Sequence, residues 1–299
     1  MVEICGIKFK NPIIIASGPG GNGKELSKHI DLNELGGFTA KTVTPYEKEG
    51  NPPPRIVNVK SGILNSIGLQ NPGIDKFILN DLPFLETLDT NIILSIGGDT
   101  KEDYLSLIEK LNNSNAVFFE LNLSCPNVGK NGIPLGIDEK SIFDLVKEVK
   151  KISKKPIFVK FGVETFLENL ISAAVNGGAD GITLINSPKG MKIDINKKIP
   201  ILKRGFGGFS GPSIKPIALA TIFIIRRKFK DLPIIGMGGV FDYKDAIEFI
   251  MAGANLVGIG SGVMSDPEIP IKIINDLNDY LKNEKYENIL SCAVEGYYV

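Results

Sequence analysis

Apolar and polar positions alternate along the chain in two rhythms. Short runs rich in β-branched and aromatic residues recur: "IIIAS" (13–17), "FTAKT" (38–42), "IILSI" (92–96), "VFFELNL" (117–123), "IFVKF" (157–161), "GITLIN" (181–186), "PIIGMGG" (233–239) and "LVGIG" (256–260). Runs of this length and type predict strands. Between most of them lie stretches with apolar residues three and four apart: "KEDYLSLIEKLNN", "DEKSIFDLVKEVKKI", "ETFLENLISAAVNGG", "KPIALATIFIIRRKF" and "DYKDAIEFIMAGA". That spacing predicts amphipathic helices, and two of these stretches carry Gly within their last two residues, as a helix C-terminus should. Eight β–α alternations predict an α/β chain whose parallel strands close into a (β/α)8 barrel, a TIM barrel; a short N-terminal β-hairpin is expected ahead of it. A doubly wound sheet is the alternative, but it more often has roughly five to seven strands. Neither a linker nor a second domain interrupts the pattern, so residues 1–299 read as one domain.

The polar residues that break the apolar runs cluster at their C-terminal ends. A barrel of this kind carries its chemistry at that mouth. The mouth would collect Ser17, Lys41, Asn122, Cys125, Lys160, Asn186, the Gly238–Gly239 pair and the Gly260–Ser261–Gly262 turn. Three long connections fall on the same side, 43–75, 124–138 and 186–213, and read as loops that build lids and pockets.

Composition narrows the classes. Of 299 residues, 43% are hydrophobic and 23% charged, and the formal net charge is zero. That is an ordinary globular composition with no basic face for nucleic acid. Cys5, Cys125 and Cys292 stand far apart without a CxxC pair, which argues against an iron–sulfur cluster, a structural zinc or a disulfide scaffold. The same sparseness predicts a reducing, cytoplasmic setting. The start, "MVEICGIKFKNP", is too short and charged for a signal peptide, and no run reaches the ~18 apolar residues of a membrane span.

The chemistry-bearing residues each have a bland alternative. "GMGG" and "GIGSG" follow the seventh and eighth strands, where bare backbone N–H groups commonly hold a phosphate in this fold. Ordinary Gly turns would explain either one alone, but the pair in these positions favours phosphate. Lys41 and Lys160 interrupt apolar strands near their ends; a cation beside an electron-rich ring or an anionic ligand fits better than a snorkelling surface lysine. A Schiff-base lysine remains open. Cys125 lies past its strand, before Pro126 and among Asn122, Ser124 and Asn127, which suits an accessible thiol better than a buried hydrophobe. A few per cent of such a thiol is thiolate near neutrality, enough for a base or a nucleophile. The one histidine, His29, sits in "KELSKHIDL", a predicted helix away from the mouth, so Cys125 has no histidine partner. Asn65, Asn122 and Asn186 could read a ligand that presents both imide N–H and C=O groups.

These residues are embedded in longer motifs: "NPIIIASG", "AKTVT", "GNPPPRIVNVKSGILNSIGLQNPG", "ELNLSCPN", "IFVKFG", "LINS", "GGFSGPSIKPIAL" and "PIIGMGGV". On them the chain closely resembles the dihydroorotate dehydrogenases, flavin enzymes of pyrimidine (UMP) synthesis, over nearly its whole length. Cysteine in "SCPN", where membrane-linked relatives carry serine, resembles class 1; "GNPPPR" and "GLQNPG" resemble class 1B more than class 1A. The resemblance implies a barrel that binds FMN, with Ser17, Lys41, Thr42, Asn122, Lys160, Ile185, Gly211, Gly238, Gly239, Gly260 and Ser261 at flavin positions. It implies that Lys41, Asn65, Ser66, Ile67, Gly68, Leu69, Asn122, Asn186 and Ser187 face the substrate. Cys125 matches the base that removes the C5 proton while the C6 hydride goes to the flavin. Ser95 departs from a usual Asn, and Ser187 and Ser261 from usual Thr. Class 1B further implies a homodimer and an iron–sulfur/FAD electron-transfer subunit that delivers electrons to NAD. The alternatives are a dihydropyrimidine dehydrogenase-like flavoprotein acting on uracil, a class 1A-like enzyme using fumarate, and a flavin-free barrel acting as an aldolase or binder.

Overall fold

The computed structural model describes residues 1–123 and 138–284. Eight parallel strands close into a barrel: Ile13–Ile15, Gly37–Thr39, Asn91–Ile96, Phe118–Asn122, Ile157–Phe161, Gly181–Leu184, Ile234–Met237 and Leu256–Ile259. Each pairs with its neighbours in sequence, and the eighth closes on the first, with Val257 opposite Ile13. All eight predicted runs are therefore strands, although most stop one to three residues early. Lys41 and Thr42, placed at the end of a strand from sequence, follow one that ends at Thr39, where Thr39 makes the last pairing with Ile93. Ser17 and Asn186 likewise lie just beyond their strands.

The helices follow the predicted stripes. Glu139–Ile152 buries Ile142, Leu145, Val146 and Val149, one face at helical spacing, and packs on Leu167–Gly177. Asp138 caps it by accepting from the Ser141 N–H at 2.9 Å. The segment holding His29 is a correction: it forms only a 3₁₀ turn, Leu26–Lys28, and His29 is exposed after it. Gly20, Gly21 and Gly23 crowd its start, and the Asp31 side chain opens a second short turn by accepting from Asn33 N–H, which leaves no room for a longer helix.

The N-terminal hairpin, Val2–Ile4 with Ile7–Phe9, covers the bottom of the barrel. Its Phe9 is fully buried and lies 6.4 Å from the Phe118 ring, which stacks on Phe158 at 4.3 Å. Three aromatic rings thus fill the floor, each burial contributing about 1.5–3 kcal/mol.

Two of the three long connections are not plain loops. Ile56–Val59, Gly62–Asn65, Lys189–Gly190 and Gly207–Ser210 assemble an antiparallel four-stranded sheet in the order Lys189–Gly190, Gly207–Ser210, Gly62–Asn65, Ile56–Val59. It stands over the mouth as a cap. Segment 124–138, except for Asp138, lies outside the described residues, as do Cys125 and Cys292.

Candidate active site

The ends of the first four barrel strands meet in one hydrogen-bonded group. Ser17 Oγ donates to the Ala40 carbonyl at 2.9 Å and lies 3.1 Å from Thr42 Oγ1. Thr42 Oγ1 is 2.9 Å from Ser95 Oγ and accepts from Asn122 Nδ2 at 3.3 Å. Ser17 spends its proton on Ala40, so Thr42 donates to Ser17 and accepts from Ser95 and Asn122. Each proton is then used once, and the Thr42 hydroxyl is saturated. Tyr104, from helix Lys101–Leu111, fixes the same strand end by donating to the Asn122 carbonyl at 3.1 Å. Sequence reasoning singled out Ser17, Thr42 and Asn122 but not Tyr104, whose one signal is its place on the apolar face of its helix.

Lys160 stands opposite Asn122 in the fourth-to-fifth strand register and faces the barrel interior with it. It is only 5% exposed. Lys41 is half-buried at the mouth, its backbone N–H held by the Gly21 carbonyl and Asn22 Oδ1.

The segment from Asn65 to Leu69 leaves the cap sheet and reaches down to the barrel rim. Asn65 pairs with Gly208 across the sheet, and Leu69 Cδ1 comes near Gly97, which borders Thr42. Two asparagines pin this segment. Asn51 exchanges bonds with it, donating through Nδ2 to the Ser66 carbonyl at 2.8 Å and through its N–H to the Ile67 carbonyl at 2.9 Å. Asn71 donates to the Leu69 carbonyl at 2.7 Å and accepts from Gly73 N–H at 2.9 Å. Ser66 Oγ is buried and has no partner among the described residues, as expected of a donor reserved for a ligand. Asn51 and Asn71 lie within the quoted motifs, yet their structural role was not legible there, because it depends on contacts across the loop.

On the other side, Ser187 Oγ is 2.8 Å from Ser210 Oγ, which ties the end of the sixth strand to the cap. Asn186 turns its Oδ1 onto the Ser187 N–H at 2.8 Å. Ile185 N–H bonds the Met237 carbonyl at 3.1 Å, holding the sixth and seventh strand ends together.

The Gly-rich turns meet here through bare backbone. A Cβ on Gly62 would lie 2.2 Å from the Ser210 carbonyl, and one on Gly211 2.6 Å from Gly62 Cα. Gly238 and Gly239 have φ of 132° and 83°, a region few side chains tolerate. Neither they nor Gly260 donate an N–H to any backbone carbonyl among the described residues. Ser61, Gly62, Ser210, Gly211 and Ser261 line a cleft of about 470 Å³ between these turns and the cap.

Glu164 follows the fifth strand on the mouth side, its Oε1 accepting from Gly162 N–H at 3.0 Å while Oε2 is buried without a partner among the described residues. Burial pushes its carboxyl above the ordinary value of 4.5, against the bond from Gly162 and the nearby charge of Lys189.

The structure thus brings the predicted residues at the strand ends together at one end of the barrel. Among the described residues no group of His, Cys, Asp and Glu could hold a metal ion, and no helix is long and apolar enough to cross a membrane. The sequence model for the family described as dihydroorotate dehydrogenase matches residues 1–281. The chain belongs to that family.

Among curated dihydroorotate dehydrogenases, the chain is 44% identical over 289 residues to the protein named dihydroorotate dehydrogenase B (NAD(+)), catalytic subunit, of Alkaliphilus metalliredigens, covering 96% of this chain and 95% of that one. It is 43% identical to the protein of the same name from Thermoanaerobacter pseudethanolicus, over 96% and 95% of the two chains. The Listeria monocytogenes protein of that name is 45% identical, over 92% of this chain and 91% of the relative.

Proposed function

We propose that this chain is the catalytic subunit of a class 1B dihydroorotate dehydrogenase, oxidising (S)-dihydroorotate to orotate. The observation that carries this reading is the convergence of Lys41, Asn65–Leu69, Asn122, Asn186 and Ser187 on one mouth beneath the cap sheet, in a chain of this family. FMN is the cofactor that suits the site: the Gly238, Gly239 and Gly260 amides and the side-chain-free Gly211 offer a phosphate and a flat ring close approach to backbone. Once bound, it supplies the two-electron acceptor for the C6 hydride.

The chain's own groups do the rest. Asn65, Asn122 and Asn186 supply donors and acceptors for the imide edge of the substrate, and Lys41 supplies a cation for its carboxylate. Thr42 holds the Asn122 amide in one orientation, so Asn122 does not reorganise on binding. Cys125, outside the described residues, is the base that takes the C5 proton. The cap sheet and the pinned Asn65–Leu69 segment cover the substrate and limit water.

The relatives are named catalytic subunits of an NAD(+) enzyme, which supports a second, iron–sulfur/FAD subunit as the electron outlet, in an assembly built on a homodimer of this chain. The test is dye reduction by the purified, flavin-loaded chain. Turnover with dihydroorotate and none with dihydrouracil is expected. The reverse preference would hand the site to the dihydropyrimidine dehydrogenase-like reading, and turnover with neither would remove the proposal.

A further inference from the structure

The barrel interior just below the mouth holds a buried carboxylate that the reaction does not use. Glu120 lies in the fourth strand two residues before Asn122, so its side chain shares the inward face. It is 1% exposed, and its Oε1 has no hydrogen-bond partner among the described residues. Its register neighbours are Ser95 on one side and Phe158 on the other. Lys160 is two residues beyond Phe158 on the same inward face, itself 5% exposed, with no carboxylate paired to it among the described residues. Strand spacing and rise put the two Cα atoms about 8 Å apart. Across Lys160, in register on the sixth strand, Thr183 Oγ1 is also buried without a partner.

A lone buried charge is costly, and two opposite ones in the same dry interior offset each other even without direct contact. We propose that Glu120 is the internal counter-charge of Lys160 and sets how much of the lysine's positive charge reaches the ligand at the mouth. Glu120 is a positioning residue by this account: it touches neither substrate nor cofactor and acts through Lys160. The inference rests on the flavin reading above. With the carboxylate present, Lys160 is partly neutralised, and added negative charge on the bound flavin is stabilised less than by an isolated lysine. Removing the carboxylate charge frees that stabilisation.

The experiment is the midpoint potential of the flavin-loaded protein, measured alongside flavin retention, in the wild type, Glu120→Gln, Glu120→Asp, Lys160→Met and the Glu120→Gln/Lys160→Met double variant. Glu120→Gln is expected to shift the oxidised-to-reduced equilibrium about tenfold toward reduced, a rise of about 30 mV for a two-electron couple. Glu120→Asp, which keeps the charge, is expected to stay within about threefold of wild type. In the Lys160→Met background the Glu120→Gln shift is expected to vanish. An unchanged potential in Glu120→Gln, or an equal shift with and without Lys160, overturns the proposal. If Glu120→Gln fails to fold, carboxyl carbon NMR of the apo protein, with Glu120→Asp for assignment, decides instead. A Glu120 carboxyl carbon resonance that moves in Lys160→Met supports the pairing; one that stays at its wild-type position overturns it. Absence of bound flavin in the wild type would be a failure of the functional reading rather than of this pairing, which the apo measurement reads without flavin.

Discussion

At the scale of single residues, the mouth was legible where a polar side chain broke an apolar run. Ser17, Asn122 and Lys160 announced themselves that way, because an apolar run has no packing reason to carry them. The Thr42 hub was not legible as a hub. Its three hydroxyl and amide neighbours come from positions 17, 95 and 122, brought together only by barrel closure. Ser95, noted as a departure from the family pattern, proves to be part of that hub. Its short hydroxyl reaches Thr42. Glu120 was hidden inside a motif valued for its cysteine. For Cys125 itself, Cys125→Ser is expected to retain flavin but slow its reduction by dihydroorotate about 10² to 10⁴-fold, because serine is a far weaker acid and less of the basic form exists. Stopped-flow reduction at wild-type speed would remove the thiol from the reaction. Glu164 gives a stability prediction. Burial raises its carboxyl above 4.5 in the folded chain, so the folded state holds its proton more tightly than the unfolded one. This group's contribution therefore falls as pH rises from its unfolded value through the raised folded one, and the penalty is complete above that window. Glu164→Gln keeps an acceptor for Gly162 N–H and removes the penalty. Its melting temperature near pH 7 is expected to rise by about 2–4 °C, the equivalent of roughly 1 kcal/mol, with the gain disappearing on acidification. Calorimetry across pH checks the sign; a gain that grows toward acid would contradict it.

At the scale of elements, the eight barrel strands could be read because each is a concentrated β-branched run flanked by turns and helices. The cap sheet could not, because its strands have two to four residues and are interrupted by Gly. The hairpin from Ile56–Val59 to Gly62–Asn65 turns on Lys60 and Ser61, and "KSG" gave only a weak signal. Its partner strand Gly207–Ser210 comes from 140 or so residues away, a pairing that no local pattern encodes. Gly62 is the position where the sheet depends on a missing side chain. Gly62→Ala would drive a Cβ into the Ser210 carbonyl and the Phe209 ring. The expected outcome is a several-fold higher KM for dihydroorotate and weaker flavin retention. The barrel, whose core lies elsewhere, should keep its far-ultraviolet circular dichroism. Wild-type KM and flavin occupancy in this variant would show that the cap does not shape the site.

At the scale of the whole molecule, the barrel separates an aromatic floor from a polar mouth, and the cap sheet closes over the latter. The fold was readable because periodicity and strand count agree. The electron outlet was readable only through the family, since an acceptor leaves no periodic trace in this chain. The chain alone is expected to reduce artificial dyes with dihydroorotate but not NAD, and to gain NAD reduction when combined with an iron–sulfur/FAD subunit. Direct NAD reduction, or fast turnover with fumarate by the chain alone, would contradict the class 1B reading. The central claim, a dihydroorotate-oxidising flavin site at this mouth, is tested most directly by anaerobic titration of the purified protein with dihydroorotate, followed in the visible spectrum with orotate measured at the end. The account predicts a flavin spectrum at one equivalent per chain, full bleaching, and one orotate formed per flavin reduced. A protein without flavin, or a loaded flavin that dihydroorotate leaves oxidised, would contradict it.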